Sequence, residues 1–186
     1  MNSFGNKTAT KEERGLDCYE TPEIAIHALW LREPLPFIVW EPFCGPGSIV
    51  KYLRRQNIEV IASDIKDYDC PDSTVADFMS FTKAPCDNMV TNPPFRDADE
   101  HIRHAFEIGC NKLFIFQRLL FLEGKKRADI FDNYLTRIRV FRYRLPMMHR
   151  YGYDGKKSTS QVPYAWYVFE KNKKKEKPVE LSWIRK

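Results

Sequence analysis

Short apolar runs alternate with segments of helical spacing along most of this 186-residue chain, and that rhythm leaves few folds open. "PFIVWEPF" reads as a buried strand, and "EVIASDI", "STVADF", "NMVTNPP" and "KLFIFQ" as further strands. "TPEIAIHALWL" carries Ile24, Ala28 and Leu31 at helical intervals, with Pro22 in the first turn, where a missing N–H costs nothing. "GSIVKYLRRQN" puts Ile49, Val50 and Leu53 on one face with Arg54 and Arg55 outside, and "DADEHIRHAFEIG" is an acidic-started helix ending at Gly109. "KKRADIFDNYL" returns to helical spacing. Strands separated by helices imply a mainly parallel sheet covered on both faces. "RIRVFRYRL" and "PYAWYVFE" have no helical segment between them, so that pair should be antiparallel.

With 43% hydrophobic and 30% charged residues, the profile is that of a soluble globular chain. No apolar run approaches the ~20 residues of a membrane span, and the first residues lack the apolar core of a secretory signal. The expected organisation is a flexible leader over 1–16, one domain over 17–170 and a basic tail over 171–186, in a cytoplasmic protein. Five cysteines stand singly with no C-x-x-C pair, which favours reduced thiols over a zinc site or disulfides. His101 and His104 share a helical face without an evident third ligand, so they read as solvated residues and no metal is expected. Residues 137–186 hold 14 Lys or Arg against 4 Asp or Glu, while the rest holds 16 against 21. A basic region beside an acidic body suits a polyanionic partner.

In "EPFCGPGS", Gly45 and Gly47 lie between the first strand and its helix, where a backbone can bend sharply and approach a ligand. It is neither G-x-G-x-x-G nor a phosphate loop. Asp64 follows at the end of the second strand, about 20 positions on, suited to ribose hydroxyls. Asp77 and Phe78 follow the third; a carboxylate can accept from an adenine amino group and an aromatic can cover the ring. Together these predict a nucleoside pocket that requires no phosphates.

The fourth strand ends in "NPPF". Proline donates no ladder hydrogen bond, so a Pro-Pro pair is a poor continuation of a strand but a rigid turn rich in acceptors. An exocyclic amino nitrogen is a weak nucleophile because its lone pair is delocalised. The Asn92 side-chain oxygen and the Pro93 carbonyl can take its two N–H bonds, Pro94 stiffens the pair, and Phe95 offers a face for an unstacked base.

The ordered set "YETP", "EPFCGPG", "SDI", "ADF" and "NPPF" resembles the S-adenosylmethionine-dependent methyltransferases, most closely the N6-adenine DNA methyltransferases of gamma-type motif order. The likeness spans roughly residues 18–95 and continues weakly through "QRLLFLEGKKRADIF", which is similar to small phage and prophage members. The resemblance implies a Rossmann-like class I methyltransferase fold: α/β, with a mostly parallel seven-stranded sheet, an antiparallel last strand and helices on both faces. It implies S-adenosyl-L-methionine as cofactor, with Tyr19, Thr21 and Pro22 at its carboxylate. Glu41, Pro42, Gly45 and Gly47 would hold its amino-acid part, Asp64 the ribose and Asp77 with Phe78 the adenine, beside Asn92.

Asn-Pro-Pro-aromatic also serves guanine amino groups of RNA and protein glutamine; "YETP" tilts the expectation to adenine in DNA, ahead of an RNA base or a silent nucleic-acid-binding module. Nucleic acid is expected at Arg118, Lys125 and Lys126 beyond the fifth strand, and at Arg150, Tyr151, Tyr153, Lys156 and Lys157 before the last. Arg137, Arg139, Arg142 and Arg144 either join them or solvate an edge strand. No separate target-recognition domain is evident, so specificity is expected to be relaxed or supplied by a partner, with a homodimer as one form. No membrane is expected.

Overall fold

The computed structural model describes residues 19–146, 159–174 and 177–185. Helix α1 (Glu23–Arg32) precedes strand β1 (Ile38–Glu41), and α2 (Ser48–Arg55) carries the chain to β2 (Glu59–Asp64) and β3 (Ser73–Val75). Strand β4 (Asn88–Thr91) leads through α3 (Ala98–Glu107) to β5 (Lys112–Arg118), and α4 (Ala128–Tyr134) to β6 (Leu135–Phe141), β7 (Tyr164–Glu170) and β8 (Glu180–Ile184). The sheet order is β3-β2-β1-β4-β5-β7-β6-β8. Strands β1 to β5 pair in parallel, whereas β7 is antiparallel to both β5 and β6. The order reverses between β1 and β4, and the carboxyl ends there are where open α/β sheets take ligands.

Two cores follow from strand alternation. Ile26 and Leu29 of α1 and Val50 and Leu53 of α2 pack with Val39, Phe114, Phe116 and Trp166 on one face. Ile102 and Phe106 of α3 and Ile130 of α4 pack with Met89, Leu113, Ile115 and Tyr167 on the other. The central strands are apolar on both sides, as buried parallel strands must be. Their buried indoles are paired: the N–H of Trp166 donates to the Ala25 carbonyl at 2.8 Å and that of Trp40 to Ser63 Oγ at 3.0 Å. Among the described residues no helix is long and apolar enough to cross a membrane.

The strand count is corrected from seven to eight. Within the stretch expected as a basic tail, Glu180–Ile184 pairs in parallel with β6, so the antiparallel β7 is not the last strand. Ile184 turns into the core beneath α1, while Leu181 and Trp183 stay half exposed. The charge-rich run before it concealed this short alternation.

Arg137 and Arg139 of β6 find acids rather than open solvent, whereas Arg142 and Arg144 just beyond the strand stay exposed. Glu33, 4% exposed just after α1, receives Arg137 Nε at 3.1 Å and Arg139 Nε at 2.7 Å. Arg137 also reaches Glu170, and Arg139 reaches Glu180 and Ser182 Oγ. Arg142 lies over the Trp183 ring, and Arg144 donates to the Gln161 carbonyl. β6 is not an edge strand, since β8 covers it, and the buried Glu33 with the more exposed Glu170 and Glu180 takes its two guanidinium groups.

Candidate active site

The turn after β1 is held by its own acids. Gly45 and Gly47 adopt positive φ of 50° and 87°. A Cβ on Gly47 would stand 2.7 Å from Cys70 Sγ, so both conformation and space require glycine. Gly45 N–H donates to Asp64 Oδ2 at 2.8 Å and Lys66 N–H to Oδ1 at 3.3 Å, so the acid ending β2 ties the turn to the neighbouring strand. A carboxylate offers about four acceptor sites, which leaves Asp64 capacity for a ligand. Burial raises its pKa.

Glu41, at the end of β1, is 1% exposed. Its Oε1 accepts from Phe43 N–H at 3.2 Å and from the Thr91 hydroxyl, while Oε2 is buried without a hydrogen-bond partner. Desolvation pushes its pKa up to about 8, so the acid is largely neutral at pH 7. Asp77 caps a short 3-10 turn, Phe78–Ser80, by accepting from Met79 N–H at 3.0 Å. Phe78 is 2% exposed, wedged among Trp40, Phe43, His101 and His104. Its ring lines the cavity between these neighbours.

These strand ends enclose a cavity of about 300 Å³. Of the sequence-predicted cofactor residues, Tyr19, Thr21, Glu41, Pro42, Gly45, Asp64, Asp77, Phe78 and Asn92 line it. Pro22 instead precedes α1, its carbonyl accepting from Ala25 N–H at 2.8 Å, and Gly47 shapes the turn from behind. Pro94 and Phe95 line the same cavity, whereas Pro93 is buried beside it. The Asn92 side-chain N–H donates to the Tyr19 carbonyl at 3.2 Å, which orients the amide and joins the 19–22 segment to the end of β4. Phe95 faces Tyr19 with centroids 6.2 Å apart, and the Arg118 guanidinium lies 4.4 Å over its ring.

Sequence reasoning missed several contributors. His101, expected to be solvated, lies against Phe43 at 4.7 Å between centroids and lines the cavity. Its Nδ1 is buried without a hydrogen-bond partner, and burial lowers its pKa, so the ring is neutral. Helical spacing could not reveal which neighbours it meets. Glu20 and Ser48 also line the cavity, with the Ser48 hydroxyl donating to Glu20 Oε2 at 3.1 Å. Arg118 at the end of β5 and Lys125 and Lys126 in a following 3-10 turn are exposed. Arg150, Tyr151, Tyr153, Lys156 and Lys157 lie outside the described residues. Among the described residues no group of three or more His, Cys, Asp or Glu is placed to hold a metal ion.

No protein-family model matches the chain, and no curated protein matches its sequence. Solved structures do match in fold. A protein of Pyrococcus horikoshii, provisionally described as an RNA methyltransferase, superposes with a TM-score of 0.61 at 16% identity, over 88% of each chain. The modification subunit of a provisionally assigned type I restriction enzyme from Vibrio vulnificus gives 0.56 at 12% identity, over 87% of this chain and 47% of that one. The 23S rRNA methyltransferase ErmE gives 0.53 at 12% identity, over 87% and 71%. At these identities the likeness is one of architecture: the chain has the Rossmann-like methyltransferase fold, with β8 added at the sheet edge.

Proposed function

We propose that this protein is an S-adenosylmethionine-dependent methyltransferase acting on the exocyclic amino group of adenine in DNA. The observation that carries the reading is the sharing of one cavity by the glycine turn with its acids and by Asn92, Pro94 and Phe95. The chain's residues fit the cofactor. The glycine turn admits close backbone approach, and Asp64 and Asp77 suit hydroxyl and amino donors. The orphaned Oε2 of Glu41 suits a cation, which would draw the buried acid into its ionised form. When bound, S-adenosylmethionine supplies a methyl group activated by its sulfonium charge.

The chain's own task is to present a nitrogen lone pair. Asn92 Oδ1 and the Pro93 carbonyl accept the two amino N–H bonds and draw the nitrogen toward tetrahedral geometry. These acceptors gain strength as positive charge develops on nitrogen, so they bind the transition state better than the ground state. Tyr19 fixes the Asn92 amide, and the two prolines remove the freedom that would blur its aim. Phe95 stacks on the base, with Arg118 covering that ring face until a base replaces it. No covalent intermediate is needed, and the proton leaves to water.

Methylation of an RNA base is the second reading, favoured by the likeness in fold to two proteins described as RNA methyltransferases. Label transfer from methyl-labelled S-adenosylmethionine tests the mechanism. Asn92→Ala is expected to lower transfer by about 10³ or more, as loss of a transition-state acceptor does, with cofactor affinity nearly unchanged. Full activity in that variant would contradict the assignment of Asn92.

A further inference from the structure

Immediately beyond Arg118 the chain makes a 3-10 turn, Leu119–Leu122, whose apolar side chains point in opposite senses. Phe121 is 5% exposed and anchors the turn between Phe131 and Tyr167, each at 5.6 Å. Leu120 is 64% exposed. An exposed leucine on a mobile loop would mean little, but this backbone is held from several sides. Leu119 N–H donates to the Pro163 carbonyl at 2.9 Å, and the Tyr167 hydroxyl donates to the Arg118 carbonyl at 3.1 Å. Arg127 donates to the Phe121 carbonyl at 3.2 Å and also to that of Glu123. The turn therefore spends its hydrogen bonds on fixing a leucine in solvent.

The surroundings specify what that leucine meets. Arg118, one residue before the turn, lies over the ring of Phe95, which lines the cavity. Lys125 and Lys126, just after it, are exposed. An exposed apolar tip two residues after the arginine that covers Phe95, and followed past the exposed Glu123 by two exposed lysines, suits a nucleic-acid duplex, with phosphates for the cations and a base step for the tip. We propose that Leu120 is a wedge that enters the stack of a duplex and fills the gap left when the target base is extruded toward Phe95. The inference rests on the proposed methyl transfer to a nucleic-acid base, and it adds how a paired base is made accessible. Extrusion costs stacking and pairing, which an inserted apolar side chain offsets by replacing the lost contacts. On a single strand there is no stack to hold open, so the wedge has no work to do.

The test compares mixed-sequence, unmethylated DNA as intact duplex and as heat-denatured single strands, using labelled S-adenosylmethionine. Leu120→Ala is expected to lower transfer to the duplex about tenfold or more while leaving transfer to single strands within about twofold. Leu120→Phe, which keeps an apolar tip, is expected to retain most duplex activity. Unchanged cofactor affinity in both variants establishes that they fold. Equal loss on both DNA forms, or no loss on the duplex, overturns the wedge while leaving the proposed activity standing. Wild-type transfer to single strands alone also overturns it. Absence of transfer to any nucleic acid overturns the proposed activity and the wedge with it.

Discussion

At the scale of single residues, burial sets the protonation of Glu41. It sits at the end of β1 with one oxygen accepting from Phe43 and Thr91 and the other unmatched, and burial lifts its pKa from 4.5 to about 8. The native state thus keeps a proton that the unfolded chain releases between those values. The stability this contributes is complete below about pH 4.5 and is lost as pH rises toward about 8. Glu41→Gln carries no such proton, so its unfolding free energy should decline less between pH 5 and 8 than that of wild type. The difference is on the order of a few kcal/mol, read by urea denaturation at the two pH values. The sequence identified Glu41 by its position in "EPFCGPG" but gave no sign of its protonation, which depends on Thr91 and on closure of the turn. His101 was misread for the same reason: solvent and the Phe43–Phe78 wall are alternatives that only packing decides.

At the scale of elements, the strand ends were legible because each is marked by a residue that cannot continue a ladder or favours a turn: Pro42, Asp64, Asp77 and Asn92. Helices α1 to α4 were legible as elements from spacing, but the buried face of α1 was not: Ile24 and Leu31 are exposed, and Ile26 and Leu29 enter the core. Strand β6 was not legible. Alternate arginines on a strand look the same whether they face water, phosphate or carboxylate, and the partner that decides, Glu33, lies far away after α1. With side chains 20% and 10% exposed, Arg137 and Arg139 depend on that acid. Removing one partner of a buried ionic group strands the others, so Glu33→Ala should destabilise the protein by about 3 kcal/mol, measured by denaturant unfolding. Because β6 also carries β8, this variant is expected to loosen the β6–β8 edge before the cavity, with amide exchange in β8 accelerating more than in β1 and β4.

At the scale of the whole molecule, the fold and the site have one cause. A sheet whose order reverses between β1 and β4 gathers their carboxyl ends into one cleft, and the chain has put its glycine turn, its acids and its Asn-Pro-Pro-Phe turn there. Alternating runs made the parallel sheet and its antiparallel β7 readable, while β8 was hidden because five residues beside a lysine-rich stretch carry too little periodicity. At and after the end of β5 the chain adds exposed Arg118, Leu120, Lys125 and Lys126, and Arg118 reaches the cavity-lining Phe95. The most direct test is to digest DNA and RNA to nucleosides after incubation with methyl-labelled S-adenosylmethionine and to separate them by mass and retention. The account predicts label in N6-methyl-2′-deoxyadenosine, and none when Asn92 is alanine; label on a ring carbon or a hydroxyl oxygen, or persisting in that variant, would contradict it.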